Sequence, residues 1–423
     1  MKIWLVRDLE PIPTDPGTRR LMRMGMLAQS LARLGHSTRW ITSSFDHYQK
    51  RQRSPRSQEF TAETDLTITV LPGPGYKRNI GLARIRHNRT FARSFLRFAR
   101  TSAERPDVIV TDIPTTEAAA AAIAFGKECG VPTVLSIRDL WPDFFGDYLP
   151  VALRPLARLA LVPLERQVRF ACANATSLIG ISPGYLQWGI DKGGRAPSPI
   201  DKMFPLGYAP RPIADEATTN AFLQRTGIRP EAKVVSFVGS WGHTYDLPLV
   251  LEAARLLADR SDIQFVIAGE GVQSEQLRPR FAALPNVVLT DWIDAEEIGI
   301  VLRRSEAGLL PYHSAAPQGW PNKVFEYLAY GTYQIATIEG ELARLYQETG
   351  GGVALGSHDP EALAHAIVQA LDNPALALNR GGRIDEFEKR FSSHAIYAAM
   401  SDHITRVAEF AVEGASSGSR LTQ

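Results

Sequence analysis

An α/β protein with parallel sheets, built as two domains, is what this chain of 423 residues predicts, and three observations lead there. Short apolar runs alternate with amphipathic helical patterns from the first residue onward, the signature of strand–helix–strand units. The same alternation restarts after "FPLGYAPRPIAD" (204–215), a stretch rich in Pro and Gly that has neither period and reads as a linker. The length also exceeds what one hydrophobic core supports, which favours two domains of roughly 200 residues each.

In the first domain, "KIWLV" (2–6), "TRWIT" (38–42), "LTITVL" (66–71), "DVIVT" (107–111), "PTVLSI" (132–137) and "SLIGI" (177–181) read as strands. A helix is expected over 18–34, where Leu21, Met24, Leu27, Leu31 and Leu34 share one face and Gly35 stands at the C-terminal cap. In the second domain the strands are "KVVSFVG" (233–239), "IQFVIAG" (263–269), "NVVLT" (286–290), "EAGLLPY" (306–312) and "YQIAT" (333–337). The resulting division is 1–207, joined by a C-terminal helix at 392–411, then 208–391, with a frayed tail at 412–423. In open α/β sheets ligands bind at the carboxyl ends of strands, so the loops there are where chemistry is sought.

Composition narrows the setting. The chain is 44% apolar and 22% charged, ordinary for a soluble globular protein. Its net charge of +2 gives no reason to expect a nucleic-acid partner. Cys129 and Cys172 lie in apolar contexts without metal-ligand spacing, which fits a reducing cytoplasm. The first residues, "MKIWLVRDLEP", hold an apolar run too short for a signal peptide, and no segment approaches the roughly 18 apolar residues that span a bilayer. Any membrane contact is expected to be peripheral.

Five loops at strand ends carry candidate residues. After the first strand, Gly17 precedes a helix opening with Arg19 and Arg20, a place where a backbone can approach an anion. After the 132–137 strand, "SIRDLWPDFF" puts Arg138 and Asp139 at the ligand edge; they serve either as a structural pair or as an anion-binding cation and a carboxylate that orients a hydroxyl or acts as base. In "FVGSWGHTYDLP", Gly239 and Gly242 bracket a tight loop suited to phosphate, with His243 either a surface residue or a functional one at a helix start. "IAGEGVQ" adds Gly269 to the same edge. In "PQGWPNKVFEYLAYG", Lys323 and Glu326 fall three apart in the first turn of a helix. There the lysine could meet a phosphate and the carboxylate sugar hydroxyls, although a solvated pair worth a few tenths of a kcal/mol is the plain alternative.

A further pattern lies in "GLARIRHNRTFARSFLRFAR" (81–100). Arg86, Arg89, Arg93, Arg97 and Arg100 form one helical stripe opposite Phe91, Phe95 and Phe98, with no acidic residue among the twenty. The expectation is an anionic surface such as a bilayer.

These loops, in this order, resemble the family-4 type of retaining glycosyltransferase, with "LAQSLARLGHSTRWIT", "FVGSWG", "VIAGEG" and "PNKVFEYLAYG" in corresponding places across nearly the whole chain. "RDLWPD" and "GISPGYLQWG" are similar to the bacterial surface-polysaccharide branch. The resemblance implies a GT-B architecture, two Rossmann-like domains facing across a cleft. It implies a nucleotide-sugar donor, UDP-type, bound in the second domain: Lys323 on the diphosphate, Glu326 on the ribose hydroxyls, the backbone near Trp292 and Ile293 beside the base, and Gly17, Gly239, Gly242, Gly269, Gln318 and Asn322 completing the donor site. The sugar would pass with retention to a saccharide or lipid-linked acceptor at the inner face of the membrane, with no metal and no cofactor. Two departures stand out: Gln318 occupies the place of the family's first glutamate, and Arg138 that of its frequent histidine, so the catalytic set of Asp139, Arg138 and His243 departs from the pattern. A nucleotide-sugar 2-epimerase or a non-catalytic partner subunit of the same architecture are the alternatives.

Overall fold

The computed structural model describes residues 1–16, 21–143, 154–314, 316 and 319–418, with residues 154–158 and 412–418 described by backbone alone. Gly17 and Gln318 therefore lie outside the described residues. The chain forms two compact units, Met1–Leu206 together with Ile396–Gln423, and Gly207–Ala395.

The first unit is built on a sheet whose strands are β1 (Lys2–Val6), β2 (Ser37–Ser43), β5 (Gln58–Glu63), β6 (Leu66–Leu71), β7 (Val108–Ile113), β8 (Thr133–Ile137), β9 (Ser177–Gly180) and β10 (Lys202–Met203), while β3 (Phe45–Asp46) and β4 (Arg51–Gln52) make a small separate ladder. The order is β10-β9-β8-β7-β1-β2-β6-β5, with every pair parallel except β5–β6. The apolar runs became parallel strands because both faces are covered: Ile3, Leu5, Val108 and Val110 pack with Met24, Leu27 and Leu31 of the helix Arg23–Arg33, and with Met400 and Ile404 of the terminal helix. On the other face, Trp4 stacks on Phe125 at 6.0 Å and meets Phe98 at 5.6 Å. The helix expected from residue 18 begins at Arg23, and Gly35 follows its end with φ +78, where a side chain would be strained. β5 was not foreseen; it is a largely exposed antiparallel edge, "QEFTAE", without an apolar face.

The second unit carries an all-parallel six-stranded sheet of order β13-β12-β11-β14-β15-β16, made of β11 (Lys233–Val238), β12 (Ile263–Ala268), β13 (Val287–Leu289), β14 (Ser305–Leu310), β15 (Tyr333–Ala336) and β16 (Gly352–Ala354). Phe237, Ile267, Leu309 and Ile335 form its core with Leu247, Val250 and Leu251 of the helix Leu247–Leu256. That helix starts at Leu247 because Asp246 caps it, accepting from the Leu249 N–H at 3.2 Å, with Pro248 in the first turn. His243 therefore lies in the turn ahead of the cap and not at the helix start.

Candidate active site

In the second unit the carboxyl ends of β11, β12 and β13 continue one another. Gly239 N–H donates to the Ala268 carbonyl at 3.0 Å, Trp241 N–H to Glu270 at 2.9 Å and Gly269 N–H to Asp291 at 2.8 Å. Gly269 has φ +111, and a Cβ there would collide with the Gly239 carbonyl, so glycine is demanded on both counts. A Cβ on Gly239 would collide with Lys323 Nζ. A Cβ on Gly242 would meet the Ser240 and Thr244 hydroxyls only at an ordinary contact distance of 4.0 Å, and its φ is negative, so nothing local demands glycine there.

Lys323 belongs to the helix Asn322–Ala329, whose N-cap is Pro321 and whose first N–H groups receive no side-chain cap. Its ammonium donates to the Val238 carbonyl, and the rings of Phe237 and Tyr245 lie 5.8 and 5.9 Å away. One turn on, the Tyr327 hydroxyl accepts from the Val238 N–H at 3.0 Å. The same helix thus grips both polar groups of the last residue of β11. Burial pushes the Lys323 pKa below the ordinary lysine value, against the opposing pull of Glu326. The solvated Lys–Glu pair is not formed, since Lys323 turns to the strand end and no ion pair joins it to the half-buried Glu326. Asn322 is exposed, Ile293 is buried, Trp292 is 72% exposed, and His243 is exposed without a hydrogen-bonding partner.

In the first unit, Arg138 follows β8. It pairs with Glu10 and, at 3.0 Å, with Asp112, whose other oxygen takes Arg7 at 2.9 Å. Glu10 also accepts from the Met24 N–H at 2.8 Å at the start of the Arg23–Arg33 helix. Burial alone would lower the Arg138 pKa and raise that of Glu10; the opposite charges outweigh it and drive both further toward the ionised form. Of the two readings, the structural one is formed with other partners: the charge of Arg138 is balanced by two buried carboxylates, Glu10 and Asp112, neither of them Asp139. Asp139 itself makes no hydrogen bond or ion pair. Burial raises its pKa although Arg138, Arg7 and Arg84 pull the other way.

The "RDLWPD" turn is anchored to "GISPGYLQWG" by Asp143, which accepts from Trp188 Nε1 and from Lys192 at 2.8 Å each. Nearby, Ile85, Trp141, Leu161 and Leu164 line an apolar cavity of about 210 Å³ that ends on Asn88 and Glu117. Of the arginine stripe, Arg86, Arg89, Arg93 and Arg97 are exposed, but Arg100 is neutralised by Glu128 of the next helix at 2.8 Å, a correction to the picture of an unbroken stripe. Sequence reasoning missed Glu10, Asp112 and Tyr327; only Tyr327 had a local signal, its place one turn beyond Lys323.

With this geometry in hand, two family models match the chain. A glycosyl transferase 4-like domain covers residues 22–200, in the first unit, and glycosyl transferases group 1 covers 232–373, in the second. The chain is a glycosyltransferase. Its fold is the GT-B fold. Among solved structures, this glycosyltransferase is similar to sucrose-phosphate synthase from Thermosynechococcus elongatus (16% identity over 96% of this chain and 98% of that one, TM-score 0.65). It is also similar to Anabaena HepE in complex with UDP (15%, 96% and 100%, 0.64) and to an E. coli trehalose-6-phosphate protein bound with UDP-2-fluoro glucose (12%, 96% and 99%, 0.64). No curated protein sequence matches the chain.

Proposed function

We propose that this glycosyltransferase moves a sugar from a UDP-type nucleotide sugar to a saccharide or lipid-linked acceptor, with retention, in the synthesis of a cell-surface polysaccharide. In the transfer the bond from the anomeric carbon to the diphosphate breaks, UDP leaves with the electron pair, and the acceptor hydroxyl oxygen bonds to the same carbon as its proton passes to the carboxylate of Asp139. The observation that carries the reading is Lys323: a half-buried cation with no carboxylate partner, at an uncapped helix start, against a glycine that leaves the strand end open. Lys323 and the first N–H groups at Asn322 hold the diphosphate, Gly239, Gly242 and Gly269 let the backbone close on it, and His243 supplies a further donor. Glu326 takes the ribose hydroxyls, with the backbone at Trp292 and Ile293 beside the base. UDP in the structures of HepE and of the E. coli protein supports the choice of nucleotide.

Asp139 takes the acceptor hydroxyl, since it is an unpartnered, half-buried carboxylate at a strand end, and Arg138 is a positioning residue that shapes the loop bearing it. The apolar cavity beside Trp141 and the exposed arginines favour an acceptor with a lipid portion, met at the inner face of the membrane. No described helix is long and apolar enough to cross a membrane. No cofactor takes part. The test is a thermal-shift panel of nucleotide sugars and free nucleotides: a ligand at about 100 times its dissociation constant adds roughly 2.7 kcal/mol. Stabilisation by UDP and a UDP-sugar that is lost in Lys323→Ala is the expected result; a panel without a hit overturns the reading.

A further inference from the structure

Three residues far apart in sequence converge at the carboxyl edge of the second sheet: Asp246 after β11, His313 after β14 and His358 after β16. Asp246 uses one carboxylate oxygen to cap its helix. Its other oxygen, Oδ2, lies 3.2 Å from His358 Nδ1 and 3.7 Å from His313 Nδ1. The three ligand atoms all fall within 4.8 Å of one another, and the two imidazole rings are nearly parallel, 15° apart with centroids 6.3 Å apart. Backbone bonds hold this arrangement: Asp246 N–H donates to the Pro311 carbonyl at 2.6 Å, and His313 N–H to Thr244 at 3.1 Å. His358 adjoins Asp359, the cap of the helix Pro360–Leu371.

We propose that Asp246, His313 and His358 form a site for a zinc-class divalent cation. One carboxylate oxygen faces two imidazole nitrogens from two other loops. A single cation satisfies all three lone pairs together. Tetrahedral zinc, with bonds of about 2.0–2.2 Å, places its ligand atoms about 3.3 Å apart, so the observed separations need only small side-chain rotations. Two nitrogens and one oxygen suit a borderline ion, whereas Mg²⁺ and Ca²⁺ prefer oxygen-only sets. Both imidazoles are partly exposed, which leaves the fourth position to water or to an oxygen of a ligand. The ion would tie together three strand-end loops, among them Gly239 to Asp246, without entering the transfer chemistry. The inference stands independently of the donor assignment.

The test is equilibrium dialysis of the full chain against Zn²⁺ after chelator treatment, with Co²⁺ as a spectroscopic substitute. The native protein should hold one equivalent more than a His313→Ala/His358→Ala variant, and its Co²⁺ form should show visible bands of tetrahedral intensity that this variant lacks. Asp246→Asn, which keeps the helix cap but loses the charge, should weaken binding at least about tenfold. Equal zinc binding by native and doubly substituted protein, or none by the native protein, overturns the proposal. UDP binding measured in excess chelator reports separately on the donor reading.

Discussion

Lys323 donates to the carbonyl of Val238 at the last residue of β11, 85 positions earlier in the chain. A lysine that touches only a neutral carbonyl and two aromatic rings keeps a charge that burial penalises, and an incoming anion would relieve that penalty. Lys323→Ala should therefore lower UDP affinity by roughly tenfold to a hundredfold, the worth of a charged hydrogen bond of about 1.5 to 3 kcal/mol. Titration calorimetry checks it. Unchanged affinity in a folded variant would remove Lys323 from the donor site.

The same residue gives a pH dependence whose sign is fixed. Burial sets the free-state pKa of Lys323 below the ordinary lysine value, and a bound diphosphate raises it by favouring the ammonium. UDP affinity is then complete below the free-state pKa and declines as pH rises through it. Between the two values binding takes up a proton, which calorimetry in two buffers of different ionisation heat measures directly. Proton uptake that persists in Lys323→Ala would assign the effect elsewhere.

Gly269→Ala should destabilise the second unit. The new Cβ meets the Gly239 carbonyl at a backbone φ of +111, so both strain and collision apply, and about 1 to 3 kcal/mol is the expected loss. Gly242→Ala, whose Cβ meets its neighbours only at ordinary contact distance, should cost little stability. Denaturant midpoints of the two variants distinguish them, and equal midpoints would show that the edge relaxes freely.

What could be read from sequence follows from what is local. The strands β1, β7, β11 and β12 announced themselves because both of their faces are buried, so their runs are mostly apolar. Lys323, Glu326, Gly239 and Gly269 could be singled out because a helix start and a strand end each have a short signature. β5 escaped because an exposed edge needs no apolar face. The partners of Arg138 escaped for a different reason: Glu10 and Asp112 lie 128 and 26 residues away, and only the parallel order of β1, β7 and β8 brings them together. Asp246, His313 and His358 were hidden in the same way, as single residues on three separate loops.

Arg138 and its neighbour Asp139 should respond differently to substitution. Arg138→Met leaves Glu10 and Asp112 short of a partner, and breaking a buried pair costs about 3 to 5 kcal/mol, seen as a large fall in the unfolding midpoint. Asp139→Asn breaks no ion pair and should leave stability nearly intact while lowering the rate of transfer. In the native enzyme that rate should fall as pH drops through the raised pKa of Asp139, above the ordinary aspartate range, because the protonated acid cannot accept the hydroxyl proton. An unchanged rate in Asp139→Asn would mean that another group meets the acceptor.

The helix Leu82–Thr101 brings the membrane into reach of experiment. Phe91 and Phe95 are buried against the first sheet, which fixes Arg86, Arg89, Arg93 and Arg97 on the outer face. Arg100 is removed from the count because Glu128 neutralises it. At the start of the helix, Ile80 and Leu82 are 71% and 84% exposed, an apolar tip beside a basic stripe. Four arginines near an anionic leaflet contribute about 1 kcal/mol each, enough for reversible binding that high salt should abolish. If the apolar tip also enters the interface, part of the binding should survive salt and vanish in Ile80→Ser/Leu82→Ser. Sedimentation with vesicles containing anionic lipid separates these contributions: Arg89, Arg93 and Arg97 changed to Gln should lose the salt-sensitive fraction, and the serine variant the salt-resistant one. If native and substituted proteins sediment alike, or if the native protein stays in solution at low salt, the stripe is a solvated face and the acceptor is reached without the bilayer.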